Sequence, residues 1–151
     1  MIGKNRYYRR AKISEAKFRQ LLRLFALDLT ASDAAQLCGL SVRSTNDIYQ
    51  RIRLRLAQHC AARSPFAGEL EAIGLAKHFR VNHGNNEFVR GANHVNGIES
   101  FWSFAKHRLA QFHGIRKDKF ALHLKETEFR FNHRHQDLYK ALLQLLRQNP
   151  L

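Results

Sequence analysis

The chemistry open to this chain depends first on its carboxylates, the side chains that hold divalent metal ions or move protons. Aspartate occurs only at positions 28, 33, 47, 118 and 137, so none lies between residues 48 and 117. Within that interval, HVNGIESFWSFAKHRL places Glu99 in the first turn of a predicted helix, away from the face of Phe101 and Ala105. Asn96 and Glu99 form an N-x-x-E pair, which is typical of a capping box with Asn in place of Ser or Thr. The residues alone therefore favour a helix cap over a catalytic carboxylate.

Histidine and cysteine are the other candidate metal ligands. The chain has nine histidines, and among the eight in its second half no pair has H-E-x-x-H spacing and none lies beside a cysteine. Solvent-facing or DNA-facing histidines are favoured over ligands. Cys38 and Cys60 stand apart without a C-x-x-C pair, which fits a reduced compartment and small core residues. The N-terminus lacks an apolar signal region and no apolar stretch approaches the ~20 residues of a membrane span, so we predict a cytoplasmic protein with no membrane partner.

Charge points to the kind of partner. The chain of 151 residues carries 26 Lys and Arg against 12 Asp and Glu, a formal net charge of +14. Residues 1–60 hold 12 basic and 4 acidic side chains, and residues 73–151 hold 13 and 6, so neither half is merely a basic tail. Such an excess predicts a polyanionic partner, with nucleic acid as the first candidate.

The first sixty residues predict three helices. Ser14 is placed to cap a helix whose apolar residues recur at three- and four-residue steps, namely Phe18, Leu21, Leu22, Phe25 and Leu29. A short helix follows around Asp33 to Cys38, then Gly39 as its stop and Ser41 as the cap of a long helix through about His59. A small residue in the first helix and a turn residue that tolerates positive φ are typical of a helix-turn-helix, and Ala35 and Gly39 occupy those places.

The second of these paired helices would present a polar face to DNA. Apolar contacts are assigned to Leu37, Leu40, Val42 and Ile48, and the outer, DNA-binding face to Arg43, Ser44, Asn46, Gln50 and Arg51, together with Asp47. Several of these side chains can hydrogen-bond to base edges or phosphates in a major groove. The alternative is a small helical bundle without a nucleic-acid partner. Some of the arginines at positions 51, 53 and 55 would be ordinary solvated residues, since successive odd positions do not share one helix face.

The second half of the chain predicts a different unit. RSPFAGELEA contains a proline, a glycine and a local shift to acidic residues, which indicates a domain boundary. Residues 73–81 suggest a strand and residues 82–86 a turn-rich loop, and three helices follow: Asn96 to Gly114, Asp118 to Phe131 and Asp137 to Arg147. We therefore divide the chain into a helix-turn-helix region (1–62), a linker (63–72) and a C-terminal unit (73–151).

Three segments resemble a known family. HFRVNHG, NHVNGIESFWSFAKHRLAQFHGI and HLKETEFRFNHR are similar to the end of the catalytic domain of bacterial insertion-sequence transposases of the DDE type. The N-terminal segment YYRRAKISEAKFRQLL, through SPFAGELEA, resembles the helix-turn-helix region of the same group. The resemblance implies a mainly α fold: an N-terminal helix-turn-helix bundle, then the mostly helical remnant of an RNase H-like α/β domain.

The resemblance also implies a role for Glu99 and a deletion. By position Glu99 corresponds to the third metal-binding acid of the family, which makes it the candidate catalytic residue and ligand of Mg²⁺ or Mn²⁺. The two aspartates that precede it in the family have no counterpart here, because Ala72 runs directly into Ile73. Two-metal phosphodiester chemistry needs several carboxylates converging on the ions. We predict an internally deleted chain that binds no productive metal, so whether it is an enzyme is left open.

The resulting functional prediction is a transposase-derived DNA-binding protein. Its partner would be the double-stranded DNA of transposon ends, with self-association or mixed oligomers with full-length transposase. The first alternative is a stand-alone DNA-binding regulator or inhibitor of full-length transposase. The second is a non-functional product that barely folds.

Overall fold

The structure is a computed structural model that describes residues 5–63 and 92–151, with residues 63 and 92–99 described by their backbone alone. This part of the chain contains six α-helices and no strand. In chain order they are α1 (Glu15–Ala26), α2 (Ala31–Cys38), α3 (Val42–Arg63), α4 (Ala92–Leu109), α5 (Lys117–Asn132) and α6 (Leu138–Gln148), with a short 3₁₀ turn at Ala110–Phe112. The mainly α fold is confirmed, whereas the predicted strand (73–81) and loop (82–86) lie outside the described residues.

The chain divides into two compact units. One comprises the residues up to Arg55 together with Gln136–Leu151, and the other comprises Leu56–His135. The predicted linker falls almost wholly outside the described residues, so the division at residues 63–72 stays a prediction. The last helix, α6, belongs to the same compact unit as the N-terminal helices α1 and α2.

The core of the first unit is built on α1. Ser14 caps this helix, because its Oγ accepts a hydrogen bond from the Lys17 amide at 3.2 Å. The apolar stripe predicted for α1 is buried at Phe18, Leu21, Leu22 and Phe25. Each such side chain contributes about 1.5–3 kcal/mol when it is fully removed from water, so this stripe fixes the face on which the other helices pack.

Helix α6 supplies the second apolar face of this unit. Asp137 caps it by accepting a hydrogen bond from the Lys140 amide at 3.1 Å, and Leu142, Leu145 and Leu146 are buried. Helices α1 and α6 are in direct contact. The chain then pairs with the N-terminal arm: the Arg9 amide donates to the Leu151 carbonyl and the Leu151 amide to the Tyr7 carbonyl, both at 2.9 Å.

The second unit is held by α4 and α5. Its apolar cluster consists of Phe101, Ala105, Leu124 and Phe131, with Trp102, Phe104 and Phe120 partly buried against it. Trp102 therefore packs within the unit. Beside this cluster lies a buried polar network in which Glu126 binds both Arg108 and Arg130. Apolar packing and buried ion pairs together fix α4 against α5.

Candidate nucleic-acid interface

The turn between α2 and α3 has the local geometry that the sequence predicted. Gly39 adopts φ 64° and ψ 38°, the left-handed conformation that glycine reaches without steric cost. The Leu40 amide donates to the Ala35 carbonyl at 3.0 Å, which closes the end of α2. Ser41 Oγ accepts a hydrogen bond from the Ser44 amide at 3.1 Å, so α3 begins immediately after it. The left-handed Gly39 and the Ser41 cap therefore complete the change of chain direction between α2 and α3 within residues 39–41.

Two further contacts hold α2 in place. Thr30 Oγ1 caps the helix by accepting from the Asp33 amide at 3.2 Å. At the other end, Lys17 of α1 donates from Nζ to the Cys38 carbonyl at 2.7 Å. A cation at the carboxyl end of a helix also interacts favourably with its dipole. Burial raises the pKa of the Cys38 thiol, so it is a protonated core residue at neutral pH.

Helix α3 presents two different faces. Thr45, Ile48, Tyr49 and Ile52 are buried, and Tyr49 meets the Phe25 ring edge-on with centroids 4.8 Å apart. The residues predicted to bind DNA lie on the other side: Arg43, Ser44, Asn46 and Arg51 are exposed, and Gln50 is half-buried. Asp47 is exposed on the same side. The exposed side of α3 between residues 43 and 51 is therefore polar and open to a ligand.

The apolar contacts predicted beside the turn are partly wrong. Ile48 is buried and Leu40 is half-buried, but Leu37 is 61% exposed and Val42 46% exposed. Their positions explain the difference: α2 buries Ala34, Ala35 and Cys38, so Leu37 falls outside the buried face of this short helix. Val42, the first residue of α3, precedes the buried stripe that begins at Thr45.

The charged groups on the polar face are not equivalent. Arg51 Nε donates to Asp47 Oδ2 at 2.9 Å, and its guanidinium lies 5.8 Å from the centre of the Tyr8 ring. The Asp47 carboxylate raises the pKa of the Arg51 guanidinium further. Arg43 makes no ion pair or hydrogen bond with any described residue, so its donors are available to a ligand.

Arg51 is exposed, as expected for some of the arginines at positions 51, 53 and 55, whereas Arg53 is buried and Arg55 is half-buried. Arg53 is 7% exposed, with its guanidinium 5.9 Å from the centre of the Phe25 ring and 5.6 Å from that of Tyr49. Arg55 donates from Nε and Nη2 to the Pro150 carbonyl at 3.2 and 2.8 Å. Both arginines serve the packing of the first unit.

Glu99 lies inside α4. The helix begins at Ala92, four residues before Asn96, so the expectation that Asn96 starts the helix is wrong. Only the backbone of Glu99 belongs to the residues that the structure describes. Among side chains that the structure describes, no three His, Cys, Asp or Glu residues come together as metal ligands.

Comparisons with known proteins match part of the chain. Residues 68–132, which include α4 and α5, match the ISXO2-like transposase domain. A protein of Haemophilus influenzae described as an uncharacterized transposase-like protein is 51% identical over 55 residues. That alignment covers 36% of this chain and 44% of the relative, so the chain spans less than half of the relative's length. No solved structure matches the chain.

The chain is thus similar to insertion-sequence transposases over part of its length. More narrowly, residues 68–132 are related to the ISXO2-like transposase domain. The predicted resemblance to insertion-sequence transposases is thereby confirmed for residues 68–132, while the DDE type, the RNase H-like fold and the internal deletion stay predictions. No helix in the described ranges combines the length and hydrophobicity that crossing a membrane requires.

Proposed function

We propose that this chain is a transposase-derived DNA-binding protein that binds duplex DNA through α2 and α3 and does not catalyse strand transfer. The observation that carries the proposal is that α3 has one buried face and one exposed polar face. The exposed face holds Arg43, Ser44 and Asn46, directly after the turn that Ser41 caps. In a helix-turn-helix the first residues of the second helix reach base edges in the major groove. Transposase ancestry supplies the expected partner, the double-stranded DNA of transposon ends.

The net charge supports the same partner. The first sixty residues hold 12 basic and 4 acidic side chains, and two of those acids are engaged locally. Glu15 is bound by Arg6, and Asp47 is bound by Arg51. Neutralised phosphates release counterions, so the affinity of such a protein falls steeply with salt.

The loss of catalysis is inferred from the number and placement of the carboxylates. The family reaction requires Mg²⁺ or Mn²⁺ held by several acids, and between residues 48 and 117 the chain has only Glu69, Glu71, Glu87 and Glu99. A single helix glutamate cannot orient the attacking hydroxyl and stabilise both the entering and the leaving oxygens.

DNA binding is tested by fluorescence anisotropy on a mixed-sequence duplex over a range of salt concentrations. We expect the logarithm of affinity to fall steeply with the logarithm of salt, and Arg43→Ala to make that slope shallower by about 1. Arg147→Ala is the control, since Arg147 is exposed on α6 and is outside the proposed interface. A flat salt response of the wild-type protein would overturn the DNA-binding proposal.

The catalytic part of the proposal needs its own assay. Supercoiled plasmid carrying transposon ends is incubated with the protein and Mg²⁺ or Mn²⁺. We expect no nicked or joined product with either metal. Strand cleavage that disappears in Glu99→Ala would show that the remaining acids suffice, and would overturn this part alone.

A further inference from the structure

We propose that Arg19, Arg23 and Tyr139 form a second DNA contact, which binds one backbone phosphate away from the polar face of α3. This inference rests on the DNA-binding function proposed above and adds a site to it. No local sequence motif indicates this grouping, because Tyr139 lies 116 residues beyond Arg23 and meets it only through the packing of α6 on α1.

The three side chains form one cluster. Arg19 Nε donates a hydrogen bond to the Tyr139 hydroxyl at 3.3 Å, and the Arg23 guanidinium carbon lies 4.6 Å from the centre of the Tyr139 ring. The arginines are one turn apart on α1 and both are exposed. With Ala16 and Gln20 they line an open cleft of about 330 Å³. Both guanidinium groups are therefore held at one concave place on the surface.

Tyr139 acts as a positioning residue. A guanidinium has five N–H donors in a plane, and a stacked ring leaves the donors at its edges free. Arg19 donates only its Nε proton to the Tyr139 hydroxyl group, so its terminal N–H groups remain available for another acceptor. Orienting two flexible side chains before a ligand arrives reduces the entropy lost on binding.

The cluster has no counter-charge of its own. Neither Arg19 nor Arg23 forms an ion pair with a carboxylate of the described residues. Glu15, one turn before Arg19, accepts three hydrogen bonds from Arg6, at 3.1, 3.4 and 3.2 Å. Like charges four residues apart on a helix repel each other. An external anion would relieve that repulsion, and planar guanidinium groups match the oxygens of a phosphate.

The test compares the salt dependence of binding to a mixed-sequence duplex for the wild type and for Arg19→Gln combined with Arg23→Gln. Loss of one phosphate contact should make the slope of log affinity against log salt shallower by about 0.9. The ratio of wild-type affinity to variant affinity should then increase roughly eight-fold as the salt concentration is lowered from 1 M to 0.1 M. Tyr139→Leu should also weaken binding, and Tyr139→Phe should restore part of the loss because the ring is retained.

Controls separate this site from net charge and from folding. Arg147→Gln removes one positive charge from α6 at an exposed position, and we expect its slope to equal that of the wild type. Thermal unfolding by circular dichroism should show the same helical content in all variants. A double variant that folds and keeps the wild-type slope would overturn the site, and so would an equal loss in Arg147→Gln.

Two further outcomes distinguish the proposals. If the wild type binds no DNA, the proposed function fails. If it binds DNA and Arg43→Ala weakens binding while the double variant does not, only the second contact fails. Polyglutamate serves as an acidic-polypeptide probe: loss of its binding in the double variant, with DNA binding unchanged, would assign the cluster to a protein partner and overturn the DNA site.

Discussion

Arg108 on α4 and Glu126 on α5 form an ion pair in which Nη2 lies 2.6 Å from Oε1, and both side chains are less than 5% exposed. Arg130 binds the same oxygen at 2.9 Å, and Arg108 also donates to Thr127 Oγ1 at 2.7 Å. One buried carboxylate thus holds two guanidinium groups. Because Arg108 is on the helix that carries Glu99, this network fixes the position of that helix along α5.

Glu126→Ala should therefore be strongly destabilising. It leaves two guanidinium groups buried without their shared carboxylate, and removing one partner of a buried pair costs about 3–5 kcal/mol. The measurement is the free energy of unfolding in urea. Asp118→Ala is the matched control, because its pair with Arg116 is exposed on both sides and such pairs contribute about 0–1 kcal/mol. Equal effects of the two substitutions would contradict the prediction.

Gly39→Ala should weaken the turn between α2 and α3. The glycine has φ 64°, and a Cβ there would meet nothing within 4 Å, so the cost comes from backbone strain alone. A left-handed L-residue costs roughly 1–2 kcal/mol. We expect a lower melting temperature for Gly39→Ala and a smaller loss for Gly39→Asn, since asparagine tolerates this conformation better. An alanine variant as stable as the wild type would refute the strain argument.

The parts of the fold that sequence predicted well depend on neighbours along the chain. Ser14, Ser41 and Asp137 each cap a helix through an amide within three residues, and Gly39 sets its own backbone conformation. Such interactions are visible as short motifs. The helices themselves followed from the apolar spacing, which explains why four of the five residues predicted for the α1 stripe are buried; the fifth, Leu29, lies beyond the end of α1 and is half-buried.

The errors concern interactions between distant segments. Arg53 is buried beside the rings of Tyr49, one turn before it on α3, and Phe25 on α1, and the sequence around Arg53 does not indicate the contact with Phe25. Likewise, nothing near Tyr139 in sequence indicates that it packs against Arg19 and Arg23 of α1. For Leu37 the predicted contact failed because α2 is only eight residues long and buries a single narrow face. A pattern defines which residues can be buried, while tertiary packing decides which of them are.

Glu128 gives a prediction about pH. It is 5% exposed, and burial raises the pKa of its carboxyl above the ordinary 4.5, although Lys125 Nζ at 2.8 Å opposes the shift. The folded state therefore holds this proton more tightly than the unfolded chain. Its contribution to stability is fully present below about pH 4.5 and is lost as pH rises through the folded pKa. Glu128→Gln should thus gain stability relative to the wild type between about pH 4 and pH 7.

Glu15 is the control of opposite sign for that experiment. The hydrogen bonds from Arg6 lower the pKa of the Glu15 carboxyl, so its contribution is present above the unfolded pKa and is lost as pH falls. Glu15→Gln should therefore lose stability relative to the wild type over the same rise in pH. Urea unfolding at several pH values measures both differences. A pH-independent difference for Glu128→Gln would show that its buried carboxyl does not titrate in this range.

Asp47 is the acidic residue on the exposed side of α3, and its removal tests whether that side meets DNA. Its carboxylate binds Arg51 Nε at 2.9 Å with both side chains at least half exposed, so the pair adds little to stability. Asp47→Asn should strengthen binding to a mixed-sequence duplex, because it removes repulsion from phosphates and releases Arg51. We expect the salt slope to steepen by up to about 1 if Arg51 gains a phosphate contact.

Asp118→Asn removes an equal charge from the exposed start of α5 and should leave the slope unchanged. Equal tightening by both substitutions would mean that net charge, rather than the exposed side of α3, governs the interaction.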